Sequence, residues 1–293
     1  MFTKNLFFLS ALIILAVCCS PTVIDGGIAQ NQSINIENIK QQDSGNAQLK
    51  KIEIIDRACA RGMIHIEGNM LFGYPDFVEI VQDSTCIHWI NKDFPARCAE
   101  FDPKMWEKEK KKLSRVHMNF CIDTYEWPNK VNEEPLVFID WVHAAKECTS
   151  TGKRLCSEDE WTFSCEGEEG LPYPYGYIRD SSACNIDKSW IKVEEKNLGP
   201  AETTADELKK LWQGVPSGSL ARCVSSFGVH DLTGNVDEWT TSTRASGFRS
   251  VLKGGYWSVV RNRCRPSTRA HNEGHRYYQQ GFRCCSLPTT LAK

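Results

Sequence analysis

Twelve of the 14 cysteines in this 293-residue chain lie beyond residue 57, and that even, high number constrains the fold more than any other feature. They are Cys59, Cys86, Cys98, Cys121, Cys148, Cys156, Cys165, Cys184, Cys223, Cys264, Cys284 and Cys285. Behind an export leader, such a set reads as a disulfide framework closed in an oxidising compartment. Structural zinc sites use paired Cys-x2-Cys units, and the sequence has none. Spacing alone does not say which cysteines pair, but adjacent Cys284 and Cys285 are expected to take different partners.

The leader precedes this framework. Lys4 gives a short positive start, and Leu6 to Val17 is apolar apart from Ser10. Such a run suits a signal-peptide core and falls short of the roughly 18 to 20 residues that span a membrane. It ends in Leu15-Ala16-Val17-Cys18-Cys19. Two readings fit: a bacterial lipoprotein signal with Cys18 as the lipidated residue, or an ordinary secretory leader. The first is preferred. It predicts an exported protein of the bacterial cell envelope, in the periplasm or at the outer membrane, held to a membrane by a lipid anchor.

Residues 20–57 are rich in Gln, Asn, Ser and Gly with few large apolar side chains. Too little apolar surface is available there to offset the ordering entropy, so a flexible tether is expected. The organisation read from the sequence is a signal peptide over 1–19, a tether over 20–57, a folded domain over 58–287 and a tail over 288–293. The formal net charge is only −2, which offers no electrostatic footprint for nucleic acid. The basic run Lys108 to Lys112 alternates with Glu107 and Glu109 and predicts a solvated helix face.

Within the folded part, Met63 to Ile66 alternates like a strand and meets an expected turn at Glu67-Gly68-Asn69. Phe120 to Asp123 is a second strand candidate. Asp140 to Cys148 has helical spacing that puts Trp141, Ala144, Ala145 and Cys148 on one face, closed by Gly152. Ser157-Glu158-Asp159-Glu160 has the form of a capping box and opens a second helix carrying Trp161 and Cys165. Beyond Gly167, turn residues dominate, as in Tyr173-Pro174-Tyr175-Gly176 and Gly254-Gly255. Two main helices, short strands and long loops make this an α+β fold.

The order of these motifs resembles the formylglycine-generating enzyme, or sulfatase-modifying factor, family. The matching segments include Ile64 to Gly68, Ile122 to Glu126, Gly152 to Leu155, Glu158 to Trp161, Gly228 to Trp239, Lys253 to Trp257 and Gly281 to Arg283. The resemblance implies an irregular C-type-lectin-like fold stapled by disulfides. It implies pairing of Cys148 with Cys284, and of Cys165 with a cysteine near Cys264. It also implies a calcium site formed by the Asp231 side chain, the Gly234 and Val236 carbonyls and the Glu238 carboxylate. A second family calcium site begins at the pair matching Asn185 and Ile186. Calcium is thus the expected cofactor.

Members of the family that oxidise a substrate cysteine carry a Cys-x4-Cys pair shortly after the Gly-Gly turn. Here Tyr256 to Cys264 holds a single cysteine. Two thiols are needed to hold a soft copper ion and exchange with a substrate thiol, so no copper and no catalytic residue are expected. Segment 256–278 instead concentrates Arg261, Arg263, Arg265 and Arg269 with Tyr256 and Trp257. Forked guanidinium groups beside aromatic faces suit an anionic or glycan ligand. The expectation is a binding scaffold. The alternative is an oxidoreductase of the cysteine-independent kind, acting on a small or peptidyl substrate.

Overall fold

The computed structural model describes residues 58–73, 76–245 and 247–289. The expected signal peptide with Cys18, the expected tether, and residues 290–293 of the expected tail lie outside the described residues.

Three antiparallel or mixed sheets and five α-helices form an α+β domain. Strands β1 (Met63–Phe72) and β4 (Ser114–Asp123) pair antiparallel over their full length, from Met63 opposite Asp123 to Phe72 opposite Ser114. The short strands β10 (Cys284–Ser286) and β5 (Arg154–Leu155) extend this sheet in the order β1-β4-β10-β5. Strands β2 (Cys86–Asn91) and β3 (Arg97–Phe101) make a separate ribbon. A third sheet runs β8 (Ser267–Thr268), β7 (Ser250–Lys253), β6 (Asp237–Thr241) and β9 (Gln280–Phe282).

The turn expected at Glu67 to Asn69 is not there. β1 continues through Gly68 to Phe72 because each residue has a β4 partner, and cross-strand pairing outweighs the local turn preference of a Gly-Asn step. Helix count also exceeds the sequence reading. The two expected helices are α3 (Trp141–Ser150) and α4 (Glu158–Glu166); α1 (Phe77–Asp83), α2 (Pro103–Lys110) and α5 (Ala201–Leu211) join them. On α2 the basic run is not wholly solvated. Lys110 is buried and joined to Glu107 and Glu169.

The helix starts follow local chemistry. Asp102 caps α2 by accepting from the Lys104 and Met105 amides at 2.7 and 3.1 Å, with Pro103 in the first turn. Asp140 caps α3 through the His143 amide at 2.8 Å. The capping box closes at α4: the Glu160 amide donates to Ser157 Oγ at 3.1 Å, and the Ser157 amide donates to Glu160 Oε2 at 2.8 Å. From Glu160 to Glu166 every residue of α4 is buried, so it is the central helix of the domain.

Six disulfides tie these pieces together: Cys59–Cys121, Cys86–Cys98, Cys148–Cys284, Cys156–Cys285, Cys165–Cys264 and Cys184–Cys223. The adjacent cysteines do take different partners, one reaching α3 and the other the residue before α4's cap. Cys148–Cys284 closes a loop of 136 residues, which by chain entropy contributes about 5 kcal/mol. One core cluster gathers Ile66, Phe120, Ile122, Trp161 and Phe163 with Cys165, Cys264 and Cys285. A second packs Trp239, Leu252 and Phe282 against Ala144, Cys148 and Cys284. The number of disulfides places the domain outside the reducing cytoplasm. Among the described residues no helix is long and apolar enough to cross a membrane.

Candidate functional site

The Gly254–Gly255 turn follows β7 and sets the direction of the arginine-rich segment. Gly254 has φ 87°, and a Cβ there would lie 2.7 Å from the Leu232 carbonyl oxygen and 3.0 Å from the Trp161 ring. Only glycine accepts both the left-handed backbone and that approach. The segment then returns through Cys264, whose sulfur is bonded to Cys165 of α4. No thiol is free there.

The expected ligand-binding residues separate. Trp257 is buried in a cluster with Val236, Leu211 and Tyr278. Arg263 is buried as well and clamped to Asp83 of α1, with Glu79 at 3.4 Å. Tyr256 and Arg261 border a cavity of about 180 Å³ under the Gly-Gly turn, with Phe94 and Asp237 on the facing wall. Arg261 lies 5.7 Å from the Phe94 ring centre and 3.8 Å from Glu79. Burial pushes the Asp237 carboxyl up to about 7, although the Gln279 side chain and the Gly255 amide work against that shift.

Arg265 and Arg269 line a different cavity, of about 210 Å³. The end of β1 and Asp76 and Glu79 beside α1 form one wall, the first turn of α4 another, and Lys253 at the end of β7 the floor. Most charges here are mated. Arg265 bonds Glu166 at 2.5 Å, Arg269 bonds Glu158, and Arg244 bonds Asp76. Glu158 also accepts from the Thr243 amide at 2.9 Å. Burial tends to raise the Glu158 carboxyl, but Arg269 and the Thr243 amide hold it below the ordinary carboxylate value.

Lys253 and Asp159, which the sequence reading did not single out, are the other charged groups of this cavity. Lys253 is 2% exposed and donates to the Arg265 carbonyl at 2.6 Å and Ser267 Oγ at 3.3 Å. Burial lowers it to about 8; Glu158 and Glu79 oppose that shift, while Arg265 and Arg269 reinforce it. Asp159 is half-buried, and burial followed by the neighbouring Glu158 charge raises it above the usual carboxylate value, against the opposing Thr243 side chain and the Lys253 and Arg265 charges. One signal was available in the sequence: a capping box needs only one acid at its fourth position, yet Glu158-Asp159-Glu160 supplies three.

Of the residues expected to hold calcium, Glu238 pairs with an arginine. The fully buried Arg283 guanidinium donates to both Glu238 oxygens at 2.7 Å, and the Trp161 indole adds a bond to Glu238 Oε2 at 2.8 Å. Asp231 accepts from the Gly218 amide at 2.6 Å. The Asn185 carbonyl accepts from the Asn235 amide at 2.9 Å and would contact a Cβ on Gly234 at 2.3 Å. Ile186 and Val236 are buried side chains on either side of that contact. Asn185–Ile186 and the Asp231–Glu238 turn therefore pack together. The donor set as placed does not fit calcium, which wants six to eight oxygens, because Glu238 is already neutralised by Arg283 and accepts three hydrogen bonds. The physical reason is Arg283. It bonds the His230 carbonyl at 2.9 Å, but Glu238 is its main partner.

Of the histidines, His271 and His275 stack with ring centres 3.9 Å apart. His275 further bonds the Gln280 side chain.

An α+β domain with these cross-links, a Gly-Gly turn beside the central helix and an arginine-rich return segment is the class of fold used by formylglycine-generating-enzyme-like proteins. Residues 75–287 match the sulfatase-modifying factor enzyme 1-like domain, and the chain belongs to that family. It is 30% identical over 163 residues to the inactive C-alpha-formylglycine-generating enzyme 2 of Bos taurus, a match covering 53% of this chain and 50% of that protein. It is 26% identical over 180 residues to the formylglycine-generating enzyme of Mus musculus, covering 54% and 46% respectively. The chain thus spans about half the length of the curated relatives it matches. Among solved structures, PvdO from Pseudomonas aeruginosa aligns over 77% of this chain and 94% of that one, at 16% identity and a TM-score of 0.45.

Proposed function

We propose that this domain binds a ligand and does not generate formylglycine. The observation that carries the reading is the Cys165–Cys264 bond, which occupies the one cysteine of segment 254–269. Thiol exchange with a substrate cysteine needs a thiolate, and a copper dithiolate needs two. Similarity to a relative described as inactive supports the same reading. The ligand's place is the charged cavity between α4, β7 and the arginine segment, where Arg265, Arg269 and Lys253 offer donors. Lipidation at Cys18 would hold this binder at a bacterial cell envelope, and palmitate labelling with a Cys18→Ser control tests that anchor.

The decisive experiment incubates the oxidised domain with copper, a thiol reductant, oxygen and a cysteine peptide of the sulfatase type. No aldehyde should form, as read by mass spectrometry and hydrazide capture. Multiple turnovers of peptide to aldehyde would overturn the reading.

A further inference from the structure

The charged cavity has a charge balance that specifies its occupant more narrowly. Four cations line it, Arg244, Lys253, Arg265 and Arg269, and four acids, Asp76, Glu79, Glu158 and Asp159. Six of these eight are mated: Arg244 with Asp76, Arg269 with Glu158, Arg265 with Glu166 behind it, and Glu79 with Arg261 and Arg263. Among the described residues, Lys253 and Asp159 alone of the eight have no opposite charge within 4 Å. One unmated cation and one unmated anion thus share one wall-to-wall space.

A buried charge without a counter-charge is costly, and proteins mate such groups or neutralise them. An ammonium has three protons to donate. Two of those on Lys253 are used by the Arg265 carbonyl and Ser267 Oγ, and one remains. Three further donors of the cavity's arginines, Arg269 Nη1, Arg265 Nε and Arg244 Nε, are buried without a partner. On the opposite sign, Asp159 sits in the first turn of α4 between two acids that are each already bonded, Glu158 to Arg269 and Glu160 to Arg154. The volume of about 210 Å³ corresponds to roughly seven waters at about 30 Å³ each.

We propose that this cavity binds a small zwitterion of the α-amino-acid type, its carboxylate on Lys253 and the free arginine donors and its ammonium on Asp159. The inference rests on the reading of the domain as a binder and names the ligand class for that site. A ligand carrying only a negative charge would leave Asp159 unmated. One carrying only a positive charge would leave Lys253 unmated. Burial disfavours the charged form of each group, moving Lys253 down to about 8 and Asp159 upward. A zwitterion would favour the charged form of both.

The test uses the disulfide-bonded domain and three probes, glycine, L-alanine and L-serine, measured by calorimetry and by the shift in melting temperature. Acetate and methylammonium serve as single-charge controls. Saturable binding of at least one amino acid is expected, at least about tenfold tighter than either control. Lys253→Met and Asp159→Asn should each weaken it by about tenfold or more, the factor carried by one charge-assisted hydrogen bond. Asp159 is half-buried and shape is conserved in Asp159→Asn, so that variant reports even if Lys253→Met does not fold. Absence of saturable binding by all three amino acids would overturn the proposal, as would controls binding equally well or unchanged affinity in Asp159→Asn. Aldehyde formation is a separate readout, so failure here leaves the binder reading standing or falling on its own assay.

Discussion

Two groups of buried charge adjoin α4, and they are built in opposite ways. Around Arg283, both Glu238 oxygens, the Trp161 indole and nearby loop carbonyls are joined in a closed set. Glu126 beside it accepts from Ser217 and from the Asn235 amide group. In the cavity, Lys253 and Asp159 are left without an ion-pair partner among charges that are mated. The contrast teaches how to tell framework from site. A closed polar set fixes loops that have little regular structure, whereas an open one keeps a capacity for something from outside.

The largest effect should come from breaking the closed set. Arg283→Met removes the partner of a carboxylate that is 1% exposed, and an uncompensated buried charge costs about 3–5 kcal/mol. Urea unfolding should show that loss. Arg283→Lys should recover little of it, because an ammonium cannot reproduce the two parallel bonds to Glu238. A stable, fully disulfide-bonded Arg283→Met domain would mean that this centre is not what holds the loops.

The second effect is a pH dependence confined to the same centre. Burial raises Asp231 to about 6, with the Gly218 amide and Arg283 opposing the shift and Glu238 adding to it. The native state therefore binds this proton more tightly than the unfolded chain does. Its stabilisation is complete below about pH 4 and is lost as pH rises through about 6, some 3 kcal/mol at most. Comparing wild type with Asp231→Asn across that range isolates the term, since only wild type should show it. A chelator should leave the melting temperature at pH 7 unchanged. If chelation lowers it, a cation is competing with Arg283 for these carboxylates and the closed-set description fails.

The smallest effect belongs to the open set. Asp159→Asn removes no ion pair, so its stability should stay within about 0.5 kcal/mol of wild type while ligand binding weakens by about tenfold or more. A large destabilisation would show that Asp159 is framework after all, and would dissolve the contrast between the two regions.

Much of the fold was legible because it is written in local chemistry. Asp140 and Ser157 are followed at three residues by the amides they cap, and the helices begin there. Gly254 stands where no other residue accepts the backbone. The calcium motif names a set of oxygens but not Arg283, which lies 45 residues on from Glu238 and pairs with it. The arginine segment likewise read as one surface, yet Arg263 turned inward to Asp83, a partner 180 residues away in sequence.

By itself, then, the sequence determined the cross-linked α+β framework, its helix starts and its family, since caps, turns and motif order act over a few residues. Only the tertiary structure decided which charges are mated. Partner choice depends on distances of a few ångströms between segments far apart along the chain, and on how much water each pair loses. In the unfolded chain, solvent screens Lys253 and Asp159 as it screens every other charge. Folding alone removes that water and leaves these two facing one cavity.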